Sequence, residues 1–277
     1  MSEDMAVLKQ FEDLSNIFRT MYLQPLWKKY DLNEPLAATM LFLEGYAFER
    51  QGRSPAFSPA AIEAIKMADR IKNPKDFPII VWDNFRDLLD NKGLNLKLNP
   101  LYPQYPLFHP TDMCNCIWCV LKSCNIIETS KNALAEGQTK AIWNQLKRIQ
   151  GVGPKIASLF LRDVAIYYEN ELNLADKNRM PADDRYLLQP IDIWVHRIVV
   201  ALNRQDMDEK TKYEDVAKWI VDNCSNPECC NQGMWYFGAK IAKTEFMLEK
   251  CLADPHTIER HIMELKASAQ AILDAEL

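Results

Sequence analysis

Glycine is scarce in this chain, with only 8 among 277 residues. A segment that spends two of them within three positions therefore answers some backbone demand. Long apolar runs are missing too. The best candidate, "LAATMLFL", is stopped by Glu44 far short of the ~18 residues a membrane span needs. The opening "MSEDMAVLKQFEDL" lacks the basic flank and cleavage pattern of a signal peptide. No membrane partner is expected, and the protein reads as intracellular, in the cytoplasm or nucleoid, or in the nucleus of a eukaryote. There, its 8 cysteines are read as thiols or metal ligands rather than disulfides. A surplus of positive charge is also absent: 33 basic against 38 acidic residues give a net charge of −5. That balance excludes an indiscriminate polyanion binder. Alternating strand patterns, internal repeats and low-complexity tracts do not occur.

What is present is helical. Hydrophobic residues make up 48% of the chain and charged ones 26%, ordinary for a folded protein with ample core. "DLSNIFRTMYLQPL" and "PLAATMLFLEGYAFER" read as apolar-rich helices. "SPAAIEAIKMADRI" opens on Ser58-Pro59, a cap and first-turn pair. "DEKTKYEDVAKWIVDN" sets Tyr213, Val216, Ala217 and Ile220 on one face. Two segments break the pattern: 91–110, with four prolines, and the polar 169–190, both expected as connections. The fold class is all-α in two lobes. One lobe is expected to hold residues 1–35 and 205–277, the other 36–204.

Charge is not spread evenly. From Lys131 to Arg162 there are six basic residues (Lys131, Lys140, Lys147, Arg148, Lys155, Arg162) and one acidic residue, Glu136. Such a window fits either a basic face for a phosphate backbone or a solvated helix face. Within it lies "LKRIQGVGPKIASLFLRDVA". Ile142, Leu146 and Ile149 form an apolar stripe before the corner, and Ile156, Leu159, Phe160 and Val164 form one after it. Gly151 and Gly153 permit a tight reversal, and Pro154 suits the first position of a new helix. Amides around Gly151–Lys155 would then emerge at a helix N-terminus, a favourable place for phosphate. A plain packing corner is the alternative. Downstream, "LQPIDIWVHRIVVALN" delivers Asp192 just ahead of an apolar-periodic helix, where a helix N-cap is its commonest role.

The apolar-x-Gly-Val-Gly-x-Lys pattern resembles the helix-hairpin-helix motif. Together with the following loop, Asp192 and the "HRI" helix, it is similar to the HhH-GPD superfamily of DNA base-excision glycosylases. The resemblance covers roughly 36–245, with its specific motifs at 149–163 and 188–203. It implies a two-lobed helical fold with a cleft between the lobes, the hairpin at about 139–165 and the aspartate loop at about 188–193. Lysine at the position of Lys155 marks bifunctional members, glycosylases with an associated apurinic/apyrimidinic (AP) lyase activity. Asp192 falls on the family's catalytic aspartate. The longer Lys155–Asp192 spacing looks more like the archaeal 8-oxoguanine glycosylases than the endonuclease III group. The implied partner is damaged double-stranded DNA, bound by a monomer, within base excision repair.

The chemistry such a pair would perform is specific. A neutral lysine amine attacks C1′ of the damaged nucleotide, displaces the base and leaves a Schiff base. With a reference pKa of about 10.4, lysine needs help to lose its proton, and burial and a helix N-terminus would both supply it. Asp192 would accept a proton or stabilise positive charge growing on the sugar. The target base must be flipped out of the duplex, at a cost of about a few kcal/mol. "FERQGRSP" is similar to the family's wedge segment, making Gln51 the candidate wedge and Arg53 a contact to the opposite strand or a phosphate. Lys140, Lys147, Gly151 and Gly153 complete the expected DNA contacts. Trp194, His196 and Trp235 are candidates for holding the flipped base, with core packing as the alternative for Trp235.

Cys114, Cys116, Cys119 and Cys124 are spaced C-x-C-x2-C-x4-C, and Cys224, Cys229 and Cys230 follow in "CSNPECC". Four close cysteines can hold zinc or an iron–sulfur cluster. The family's [4Fe–4S] loop follows its last core helix, here "NQGMWYFGAKIAKTEF", where Cys251 stands alone. No cluster, no metal and no other cofactor is therefore expected. Zinc at Cys114–Cys124 is the alternative to thiols packed as small hydrophobes. His109, His196, His256 and His261 are too scattered to form a site. Two further readings stay open: a glycosylase for another damaged or alkylated base, and a non-catalytic hairpin protein whose Lys155 contacts phosphate.

Overall fold

The computed structural model describes residues 3–48, 54–70, 76–93, 124–149, 152–173 and 180–275. Every regular element among them is helical, as the all-α expectation required. In chain order the first are α1 (Glu3–Phe18), α2 (Gln24–Lys28), α3 (Pro35–Phe42), α4 (Ser54–Ala68) and α5 (Phe77–Asp90). Next come α6 (Ile126–Ala135), α7 (Thr139–Leu146), α8 (Pro154–Tyr167), α9 (Glu169–Leu172) and α10 (Ala182–Tyr186). The rest are α11 (Ile193–Leu202), α12 (Tyr213–Asn223), α13 (Pro227–Tyr236), α14 (Glu245–Ala253) and α15 (Pro255–Ala275). π-helical segments at Arg19–Leu23, Leu43–Ala47 and Phe237–Ala242 extend α1, α3 and α13. No described helix is long and apolar enough to cross a membrane.

The chain divides into two compact units, one of Met1–Pro25 with Leu161–Leu277 and one of Leu26–Phe160. The second unit is built on aromatic rings. Phe42 and Tyr46 meet Phe160 edge-on at 5.0 and 5.1 Å, and Phe48 stacks on Phe57 and Phe85. Trp27 is fully buried and donates from Nε1 to the Tyr46 hydroxyl at 3.0 Å. Asn125 caps α6 through Oδ1, and its Nδ2 donates to the Leu32 carbonyl, tying the helix start to a distant turn.

The first unit has a core of Phe11, Leu14, Val195, Ile198, Val199, Ile220, Met234 and Phe237 among others. Here α1 lies against α13 at unusually close range. A Cβ added to Gly233 would sit 1.8 Å from the Phe11 carbonyl oxygen, so only glycine fits. α13 is also buried on nearly all sides, and Glu228, Asn231 and Gln232 within it are fully inaccessible. Their polar groups are matched. Arg185 clamps Glu228 with two bonds of 2.8 and 2.9 Å, and Ser15 donates to Gln232 at 2.7 Å. Arg162 donates to Asp163 and Asn231, while Gln232 donates to Asp163.

Several local expectations are corrected. α4 starts at Ser54, so Ser58 is a buried interior residue rather than a cap and Pro59 lies inside the helix. Pro59 has no N–H, so the helix forgoes one backbone bond there. Tyr213, expected on the buried stripe of α12, is 52% exposed at the helix start, while Val216, Ala217 and Ile220 are buried. The polar segment 169–190 carries two short helices, α9 and α10. Most of 91–110 lies outside the described residues, as do Cys114, Cys116 and Cys119.

Candidate functional site

The hairpin is built as the stripe pattern requires. Ile142, Leu146, Ile149, Val152, Ile156, Phe160 and Val164 are all buried, and Leu159 is half-buried. After α7 the chain tightens through bonds from Arg148 to Gln145 and from Ile149 to Leu146, and the Val152 amide returns to the Ile149 carbonyl. Gly153 then accepts from the Ala157 amide as the residue before α8, and Pro154 takes the first helical position. Trp143 fastens the two hairpin helices by donating from Nε1 to Ser158 Oγ at 3.0 Å. Lys147 extends over the same indole, with Nζ 3.9 Å from the ring centre.

Along the hairpin Lys140, Lys147, Arg148 and Lys155 are all exposed. Lys155 is the second residue of α8, beside the first-turn amides that have no intrahelical acceptor. Its exposure overturns the expectation that the amine is buried. Arg162 is a second correction. It is 1% exposed and committed to Asp163 and Asn231, so it leaves the expected basic face. Gly153 sharpens the reading of the corner. A Cβ there would meet nothing within 4 Å, and its φ is outside the left-handed region. Folding therefore makes no steric demand for this glycine, and the open side is one an external group can approach. Gly151, Gln51 and Arg53 lie outside the described residues.

Asp192 belongs to the first unit and Lys155 to the second. Asp192 is the N-cap of α11, with Oδ1 accepting from the amides of Trp194 at 2.9 Å and Val195 at 3.0 Å. The approach loop is held from below. Asn231 Nδ2 donates to the Pro190 carbonyl at 3.3 Å, and Ile191 is buried.

The three base-pocket candidates have distinct surroundings. Trp194 is half-buried against Gly238, where an added Cβ would come within 2.7 Å of Trp194 Cβ, and Arg197 lies 5.9 Å from its ring. Trp235 is half-buried, meets Phe18 edge-on at 5.4 Å and has Lys240 at 5.9 Å. His196 is buried, its Nε2 is 2.9 Å from the Thr211 carbonyl, and its ring meets Tyr213 at 5.3 Å. Beside it is a cavity of about 170 Å³ lined by Arg197, Val200, Glu245, Leu248 and Leu252 among others.

Comparison with known proteins adds little to this geometry. No family model and no solved structure matches the chain. A Methanocaldococcus jannaschii protein described as uncharacterized protein MJECL21 is 26% identical over 264 residues, 87% of this chain. The chain spans 58% of that relative's length.

Among the described residues no group of three or more His, Cys, Asp or Glu side chains is arranged to hold a metal ion. Among the described residues Cys124, Cys224, Cys229, Cys230 and Cys251 form no disulfide with one another, and all but Cys124 are buried. Burial pushes the Cys229 thiol up to about 11. What sequence reasoning missed is the polar support behind the Asp192 loop. Its members are up to 69 residues apart, as with Arg162 and Asn231, and only the pairings of Arg162 with Asp163 and of Gln189 with the Arg185 carbonyl are local. The one visible signal was three polar residues, Glu228, Asn231 and Gln232, on a single turn of helix.

Proposed function

We propose that this protein is a bifunctional DNA glycosylase and AP lyase that removes an oxidised base, 8-oxoguanine by preference, from double-stranded DNA. The observation that carries the reading is the hairpin corner. Exposed Lys147, Arg148 and Lys155 lie within six residues of Gly153 along the chain, exposed Lys140 lies on the preceding helix, and Gly153 leaves the backbone open to a phosphate oxygen. Lys155 stands in that first turn and is the nucleophile of the proposed reaction. Its amine attacks C1′ as the base departs, and the covalent imine then permits strand cleavage. Asp192, fixed by its two capping bonds, offers the carboxylate that stabilises positive charge on the sugar. The preference for 8-oxoguanine rests on the length of the segment between Lys155 and Asp192.

Borohydride trapping on duplexes carrying different lesions tests this reading. Wild type is expected to yield a covalent adduct on an 8-oxoguanine duplex, and Lys155→Ala none. Adducts on an alkylated or pyrimidine lesion alone would move the substrate to another damaged base. No adduct on any lesion, or equal trapping by Lys155→Ala, would sink the nucleophile assignment. Salt-dependent duplex binding without trapping would leave a hairpin protein that only holds DNA.

A further inference from the structure

Behind the Asp192 loop, α13 presents buried amides where apolar residues would pack as well. Asn231 and Gln232 are both fully inaccessible. Gln232 is accounted for by Ser15 and Asp163, on α1 and α8. Asn231 is different, because its second partner is a loop. Its Oδ1 accepts from Arg162 Nη1 at 2.9 Å, and its Nδ2 donates to the Pro190 carbonyl at 3.3 Å. The orientation of this amide is not arbitrary. Arg162 has only donors to offer and Pro190 only an acceptor, so the reversed amide would lose both bonds. Arg162 itself is fixed, with Nε and Nη2 both on Asp163 Oδ1 at 2.9 and 2.8 Å. The loop is gripped once more at Gln189, whose Nε2 reaches Glu228 Oε1 and the Arg185 carbonyl at 3.4 Å.

We propose that Asn231 is a positioning residue for Asp192, holding the Pro190 carbonyl to Arg162 so that the Asp192 carboxylate is presented in one place. The chemical role of Asp192 rests on the function proposed above; the hold on the loop does not. Pro190 is two residues before Asp192, and Ile191 between them is buried, so little slack separates the gripped carbonyl from the carboxylate. A leucine at position 231 would fill similar volume and leave the loop carbonyl without a donor. An effect on Asp192 should follow that a general loss of stability would not produce.

The test compares Asn231→Leu with Ser15→Ala, which removes a bond from the same network without touching the loop. The first readout is amide hydrogen exchange at Trp194 and Val195, whose N–H groups are held by Asp192 Oδ1. Asn231→Leu is expected to speed exchange there at least tenfold relative to Ile198 and Val199 on the same helix, and Ser15→Ala to leave that ratio unchanged. The second readout is single-turnover excision on the trapped lesion. Asn231→Leu is expected to slow it at least tenfold with duplex affinity within twofold of wild type, and Ser15→Ala to preserve both. Wild-type protection at Trp194 and Val195 in Asn231→Leu, or the same loss in both variants, would overturn the assignment. If wild type excises no lesion, the base-excision reading has failed, and the exchange ratio still decides whether Asn231 holds the loop. Should Asn231→Leu not accumulate folded, Asn231→Asp keeps an acceptor for Arg162, offers Pro190 no donor as a carboxylate, and is read the same way.

Discussion

Gly233→Ala is the sharpest probe of how the first unit is assembled, because the new methyl group would meet backbone rather than side chain. Its Cβ would lie 1.8 Å from the Phe11 oxygen, 2.6 Å from the carbonyl carbon and 3.1 Å from Cα. Ordinary contact begins at 3.4 Å, so α1 and α13 must part by about 1.6 Å along that line. Gaps of 0.5–1 Å already forfeit about a quarter to a half of a dispersion contact. The Ser15–Gln232 bond, 2.7 Å long, would stretch beyond hydrogen-bonding range. Overpacking costs about 1–3 kcal/mol, and a stranded buried amide about 1–3 more. The better helix propensity of alanine returns about 1 kcal/mol. The net loss is about 3 kcal/mol, or roughly 6–12 °C in Tm for a chain of this size. Thermal melts followed by far-UV circular dichroism measure it directly. Because the clash is with the main chain, Phe11→Leu on top of Gly233→Ala should give no relief. A single mutant melting within 2 °C of wild type, or rescue by Phe11→Leu, would refute the close approach of α1 and α13.

Gly153→Ala should behave in the opposite way. Its Cβ meets nothing, so stability should fall by no more than the few tenths to ~1 kcal/mol of a poorer N-cap, while on the proposed reading duplex affinity drops severalfold in a fluorescence-anisotropy titration. Unchanged affinity would remove Gly153 from the proposed DNA interface. Asp192→Asn keeps a good cap and should melt like wild type while the proposed excision falls at least a hundredfold; Asp192→Ala should lose about 1 kcal/mol as well. Full turnover by Asp192→Asn would reduce Asp192 to its capping role. Burial raises the Cys229 thiol from its ordinary 9.0 to about 11. Between those values the unfolded chain sheds the proton and the folded one keeps it, so stability present below pH 9 is lost as pH rises toward 11. That loss approaches about 3 kcal/mol, and Cys229→Ala should flatten the decline in urea titrations between pH 8 and 10.5. An identical slope in the variant would assign the alkaline loss to other groups.

The fold class was readable because helical periodicity is a local property. The stripe from Ile142 to Val164 and the cap at Asp192 each depend on residues within a few positions, and both stand where the spacing put them. What was not readable depends on distance along the chain. Arg162 looked like part of a basic face because it is buried and its partner Asn231 lies 69 residues on. Lys155 looked like a buried nucleophile because a pattern of residue types carries no information about exposure. Ser58-Pro59 imitated a helix start because nothing in the dipeptide itself shows that α4 has already begun four residues earlier, at Ser54.

The buried polar groups of α13 pose an energetic question that stability alone does not answer. Replacing a buried ion pair with apolar residues of similar volume is often neutral or stabilising by about 1–4 kcal/mol. On that scale Arg185 with Glu228, and Arg162 with Asp163, are poor choices for holding a core together. Their value lies in direction. Apolar contacts fix how close two segments come, whereas a clamped guanidinium and an oriented amide fix where a third group points. Both networks end on consecutive residues of one loop, Glu228 meeting Gln189 and Asn231 meeting Pro190, and the next residue but one is Asp192. A chain that required only a stable corner there could have used leucine throughout. The cost of burying these charges makes physical sense if the carboxylate that follows must be held in one orientation, which is what stabilising charge at a reacting carbon demands.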